Sequence, residues 1–332
     1  MSLRQVSSLA IAVILSLPGA VSAGTDPLSA EVQSVFQRSA RAVVKIQAED
    51  DSGQLSGSGF FVDPNGTIYT NYSVGGESRD IVVSNGSSRY PATRIAADPR
   101  SGLAILKIEA QKTPFLPLGK ASALAVASMV MTIGYPLDLP LTPNVGCVGG
   151  FAISSGDRFF AVSHIRANVP VQRGEGGAPL LNMDGEVVGI LESSLDGGAG
   201  CFVLPIEAAE KIHSDVMRFG EVRPGWLGIR FDKPDGDGTP IEVLGFVTDS
   251  PAEKSGILPG DLILKVGDRT ISTLDDVLNA AFYLTAGDEV PLTVSRGGKT
   301  MEMKVEPAPN PLAPQEQSAP STVFNITVPF GK

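Results

Sequence analysis

The sequence predicts a mainly β protein whose strands close into barrels or pack as a sandwich, and three observations carry that expectation. Short apolar runs recur at regular spacing from Ala42 onward. Turn-forming pairs such as Asn65-Gly66, Asn85-Gly86 and Asp184-Gly185 punctuate them. Glycine and proline are abundant, at 37 and 25 of 332 residues, as many tight turns require. Short strands with such turns between them are the pattern of closed or face-packed antiparallel sheets.

Taken in order, Asp26 reads as an N-cap before Pro27, with a helix running to about Ser39. The β pattern then begins with Ala42-Val43-Val44-Lys45-Ile46 and continues with Ser58–Val62, which turns at Asp63-Pro64-Asn65-Gly66. Ile81-Val82-Val83 leads into Asn85-Gly86, and Leu103-Ala104-Ile105-Leu106-Lys107-Ile108 is a strongly apolar strand. Further strands are expected over Met129–Tyr135, Asn144–Ile153 and Phe159–His164, and a hairpin over Leu180–Ile190 around Asp184-Gly185. Pro205–Ser214 has helical periodicity, with Ile206, Ala209 and Ile212 on one face. The module changes near Phe219–Pro224. Beyond it, Trp226–Glu306 holds strands, a helix over Thr273–Tyr283 and a closing hairpin at Gly297-Gly298. Residues 307–332 form a tail, Ala/Pro/Gln/Ser-rich as far as Ser321 and expected to be disordered. Its last stretch, Thr322–Val328, regains β character.

Composition excludes several function classes. The net charge is −10 with no Lys/Arg cluster, which argues against a nucleic-acid or anionic-lipid surface. The N-terminus reads as an export signal over 1–23. Arg4 supplies positive charge, Leu9–Leu17 is an apolar run too short to span a bilayer comfortably, and Val21-Ser22-Ala23 offers a cleavage site. An uncleaved run would instead anchor the chain to a membrane. Export permits disulfides, yet whether Cys147 and Cys201 pair stays open on spacing alone. With only His164 and His213 to accompany them, no metal-ligand spacing is present, and neither a metal nor a cofactor is expected.

Five segments then carry a family resemblance. Gly57-Ser58-Gly59-Phe60 resembles the strand that opens HtrA/Deg protease domains. Thr70-Asn71-Tyr72-Ser73-Val74 is similar to the family's Thr-Asn-x-His-Val, and Asp98–Lys107 to its Asp-Pro-x-x-Asp-Leu-Ala-Leu-Leu-Lys. Arg173-Gly174-Glu175-Gly176-Gly177-Ala178-Pro179-Leu180-Leu181-Asn182 resembles the nucleophile loop Arg-Gly-Asn-Ser-Gly-Gly-Pro-Leu-x-Asn. Arg223-Pro224-Gly225-Trp226-Leu227-Gly228-Ile229 resembles the lead into the family's PDZ domain. The resemblance implies a chymotrypsin/trypsin-like double β-barrel over 24–218 followed by a PDZ domain over 219–306, and trimers built through the protease domains.

The departures fall on the triad. Ser73 stands at the position of the histidine, Gly102 at that of the aspartate and Gly176 at that of the serine. A hydroxyl, a base and a carboxylate are all missing, and in hydrolases such losses cost on the order of 10⁶ in kcat. Glu175 adds a negative charge beside amides that would have to stabilise an oxyanion. The resemblance assigns Trp226, Leu227, Gly228 and Ile229 to the PDZ carboxylate-binding loop, whose amides and following strand capture peptide or protein C-termini or unfolded segments. The expectation is a pseudoprotease that acts by binding, as homo- or hetero-oligomer, in protein quality control. Two alternatives stand beside it: an active serine endopeptidase whose triad lies elsewhere, with His164 as the residue to test, and a structural envelope component.

Overall fold

The computed structural model describes residues 26–155, 158–231 and 240–309. The expected export signal and most of the expected tail lie outside the described residues. Among those described, no helix is long and apolar enough to cross a membrane.

A first helix, α1 (Pro27–Ser39), has Pro27 in its first turn, and Asp26 makes no side-chain cap. Two closed six-stranded barrels follow. The first comprises β1 (Val43–Asp50), β2 (Gly53–Phe61), β3 (Thr67–Asn71), β4 (Arg79–Asn85), β5 (Ser88–Asp98) and β6 (Leu103–Ile108), with the one-turn helix α2 (Tyr72–Gly75) after β3. The second comprises β7 (Met129–Gly134), β8 (Thr142–Ser155), β9 (Arg158–Asn168), β10 (Pro179–Leu181), β11 (Val187–Leu195) and β12 (Gly200–Pro205). Closure removes the free edges that an open sheet would expose.

The continuous apolar runs have a simple cause. Side chains alternate across a strand, and here both faces are buried. In β6, Leu103 and Ile105 join the layer between the barrels, while Leu106 and Ile108 fill the first barrel. In the same way Phe60 faces the shared layer and Phe61 the barrel. Met131, Leu181 and Leu204 meet that layer from the second barrel, whose own interior holds Val130, Leu180 and Val203.

α3 (Ile206–Phe219) leaves the second barrel and ends at Gly220, whose φ of 78° closes the helix in the left-handed region. The last module contains β13 (Gly225–Trp226), β14 (Ile229–Phe231), β15 (Val243–Phe246), α4 (Pro251–Lys254), β16 (Leu262–Val266), β17 (Arg269–Thr270), α5 (Leu274–Phe282), β18 (Val290–Arg296), β19 (Lys299–Val305) and β20 (Ala308–Pro309). It has its own core, including Val243, Ile263, Ala280, Leu292 and Val294. α5 is capped by Thr273, whose hydroxyl accepts from the Asp276 amide while the Asp276 carboxylate accepts from the Thr273 amide.

The cysteine question resolves in the ladder. Cys147 is opposite Asn168 and Cys201 opposite Ala167, adjacent residues of the intervening strand β9. Neighbouring positions on a strand face opposite ways, so the two thiols lie on opposite sides of the barrel wall. Both are free, and burial pushes the Cys201 thiol up to about 12, with Glu175 adding to the effect.

Candidate functional site

Two places in this fold gather the residues singled out in the sequence. At the first, Ser73 sits exposed on α2, Gly102 ends the turn between β5 and β6, and Gly176 lies in the loop before β10. The fold brings the three segments together. The Tyr72 amide donates to the Gly102 carbonyl at 2.6 Å, and the Ser58 amide donates to the Gly176 carbonyl at 2.8 Å. The Asn71 side chain lies against Gly176 and its amide donates to the Glu192 carbonyl at 3.4 Å.

At both glycines the space of a side chain is taken by neighbours. A Cβ placed on Gly176 would lie 2.6 Å from Asn71 Nδ2. One placed on Gly102 would lie 2.9 Å from Glu192 Cγ and 3.1 Å from its Cδ. Gly102 also has a φ of 75°, which side chains rarely adopt. Asn71 and Glu192 were not foreseen as site residues. Asn71 lay inside a recognised motif, whereas no sequence signal connects Glu192 with Gly102.

The two histidines have partners of their own. His164 is buried in β9, with Nδ1 at 2.8 Å from the Val162 carbonyl oxygen and Nε2 against the Glu192 carboxylate. Phe160 stacks on its ring at 4.1 Å. The two ring nitrogens thus face the Val162 carbonyl and the Glu192 carboxylate. His213, in α3, does meet a hydroxyl, that of Tyr69, at 2.7 Å. Tyr69 is buried in the layer between the barrels, where burial raises its pKa, and desolvation lowers that of His213. The pair borders a cleft of about 280 Å³ against α3, lined also by Asp63, Glu210 and Met217. It is separate from Gly176.

Glu175 turns inward. Its carboxylate accepts from the Gln172 amide at 2.7 Å and from Asn144 Nδ2 at 2.8 Å, and the residue is fully buried. It braces the base of the loop. Desolvation raises its pKa against the lowering effect of those two hydrogen bonds.

The second place is the turn between β13 and β14. Gly228 has a φ of 73°, and a Cβ there would come within 2.4 Å of Ser250 Cβ and 2.8 Å of the Trp226 ring, so only glycine fits. The Leu227 carbonyl accepts from Ala252 N at 3.0 Å and the Gly228 carbonyl from Val247 N at 2.8 Å. In a trans peptide the N–H points opposite to the C=O. Tying both carbonyls inward therefore turns the amides of Gly228 and Ile229 outward. The next strand, β14, pairs only with β15 among the described residues, so its other edge is open. Trp226 pairs with Ala308 and borders a cavity of about 400 Å³ with Pro251, Lys254 and Lys304.

Comparison with known proteins agrees with this architecture. Residues 57–190 match the trypsin-like peptidase domain and residues 225–306 the PDZ domain. Relatives named probable periplasmic serine endoprotease DegP-like include one from Chlamydia pneumoniae, 31% identical over 265 residues, covering 76% of this chain and 54% of that protein. Another, from Hahella chejuensis, is 32% identical over 271 residues, covering 76% of this chain and 57% of that protein. The chain is a homologue of the HtrA/DegP proteins. It spans little more than half the length of these relatives. Among solved structures, HtrA-type protease AlgW with tripeptide superposes with a TM-score of 0.68 at 23% identity, covering 84% of this chain and 97% of that one. A serine endoprotease from Yersinia pestis superposes at 0.59 and 25% identity, covering 84% of this chain and 98% of that one. The trypsin-like double barrel followed by a PDZ domain is the shared architecture.

Proposed function

We propose that this HtrA/DegP homologue is an exported, non-hydrolytic protein that captures peptide or protein C-termini through its PDZ domain. The observation that carries the reading is the loop at Gly228. Two outward amides stand at the head of an open strand edge, which is the chemistry that holds a terminal carboxylate and then pairs with the peptide backbone. AlgW, which shares the fold, has been solved with a tripeptide and with a decapeptide. The absence of a side chain at Gly102 and Gly176, the exposed hydroxyl at Ser73 and the engaged nitrogens of His164 support the loss of hydrolysis. Placement in the periplasm fits the apolar N-terminal run and the names of the relatives.

The reading is tested by titrating the full chain with fluorescent peptides carrying a free or an amidated C-terminus, beside a hydrolysis assay on an unfolded protein. Binding that requires the free carboxylate, with intact substrate, is the expected result. Equal binding of the amidated peptide removes the carboxylate role. Because the relatives are named endoproteases, activity with a displaced triad is the competing reading. Hydrolysis that disappears in His164→Ala would establish it.

A further inference from the structure

We propose that Glu192 has taken over, in space, the place of the carboxylate missing at Gly102, and that its pairing with His164 is a strut that holds the altered cleft in shape. This rests on the reading of Ser73, Gly102 and Gly176 as altered triad positions. In that reading an acid would project from the turn between β5 and β6. Here the turn ends in a glycine, and the Glu192 side chain reaches the same volume from β11 of the other barrel, within 2.9 Å of where a Cβ at 102 would sit. Its carboxylate meets His164 Nε2, while the Val162 carbonyl fixes the opposite nitrogen and Phe160 covers the ring face. The imidazole is held on three sides, so the carboxylate bound to it has a fixed position. The Glu192 main chain also accepts the Asn71 amide, which fills the space beside Gly176. One residue thus ties β11 to β9 through its side chain and to the end of β3 through its carbonyl.

Glu192 is a positioning residue in this account. Its consequence is that residues 102 and 192 compete for one volume: an acid cannot return to 102 while Glu192 stays. If the Glu192 side chain lay clear of that volume, substitutions at the two positions would act independently.

A double-mutant cycle on the full chain decides between these, read by urea unfolding of the native protein, Gly102→Asp, Glu192→Ala and the double variant. The strain of the positive φ at 102 is common to both backgrounds and cancels. Gly102→Asp is expected to destabilise the native chain clearly and the Glu192→Ala chain much less, with a coupling of about fivefold or more in the unfolding constant. Glu192→Gln, which keeps the volume, should leave most of the Gly102→Asp cost in place. Additive effects overturn the proposal. So does a Gln variant that relieves the cost as fully as Ala, since the two positions would then be coupled by charge repulsion and not by shared space. Glu192→Ser supplies the same cycle should the Ala variant not fold. Neither hydrolysis nor peptide binding enters the readout, so detecting protease activity would refute the functional reading and leave this coupling standing.

Discussion

Glu175 lies where its motif positioned it but does something that the motif did not indicate. Its charge is desolvated inside the loop, and the folded state holds its pKa above the ordinary carboxylate value. A raised folded pKa means that stability is fully present below about pH 4.3, the unfolded value, and declines as pH rises through the folded one. Glu175→Gln should therefore stabilise the protein at pH 7 and lose that advantage near pH 4, with Asn144 flipping its amide to face the new group. Thermal unfolding at the two pH values checks this. At Gly228 the constraint is steric. Gly228→Ala should weaken binding of a carboxylate-terminated peptide at least about tenfold, because charge-assisted hydrogen bonds of roughly 1.5–3 kcal/mol each depend on the loop's shape. Isothermal titration measures it. The glycine in this loop was legible from the sequence, since Leu227-Gly228-Ile229 sits in a recognisable order. Glu192 was not, because the contact that gives it meaning joins two barrels and exists only after both have closed.

At the scale of elements, the apolar strands announced themselves and the polar ones did not. β6 reads directly because both of its faces are buried. β5 lies mostly exposed and carries Arg89, Arg94 and Pro91, so it shows no apolar run, and it is held by pairing with β4 and β6. β12 was missed for a different reason: its run follows the glycine-rich Gly197-Gly198 and leads without a break into α3. The α5 helix was legible through its capping residues. Thr273→Ala should cost about 1 kcal/mol of stability, measurable by urea unfolding, and fray the N-terminal end of α5. In the closing hairpin region, Arg296 grips the buried Asp261 carboxylate with two bonds of 2.7 Å, and this contact holds the Asp261 pKa below the ordinary carboxylate value. A depressed folded pKa gives stability that is present above about pH 3.9 and is lost as pH falls through the lowered value. The gap in stability between the native protein and Arg296→Gln should therefore be full at pH 6 and shrink below pH 4, as followed by urea unfolding across that range.

For the molecule as a whole, the PDZ domain is docked firmly on the barrels. Phe282 of α5 is buried in the layer that the two barrels share, beneath Arg100 at 5.8 Å. Arg218 of α3 binds both oxygens of Asp288, at 2.6 and 2.7 Å. Asp215 accepts from the Thr285 hydroxyl, the Arg223 amide and Lys211. Phe282→Ala should remove about 3–5 kcal/mol and raise amide exchange on both sides of the junction, which hydrogen-exchange mass spectrometry would resolve. The sequence marked this junction only through the change of module near Phe219–Pro224: Phe282 fits the apolar stripe of its own helix, and only the assembled domains show that it serves another core.

The same helix has a task outside its own domain. β9 is paired with β12 only over Ile165–Ala167, and α5 lies along the stretch before it, with Asn279 Oδ1 accepting from the Ser163 amide at 3.0 Å. Cutting the chain after α3 would therefore strip a cover from the second barrel and leave the Ser163 amide without its partner, ready to pair with another molecule. A truncated barrel that clumped or bound partners indiscriminately would be reporting on that raw seam and not on the missing PDZ domain, so single substitutions in the Gly228 loop are the cleaner instrument.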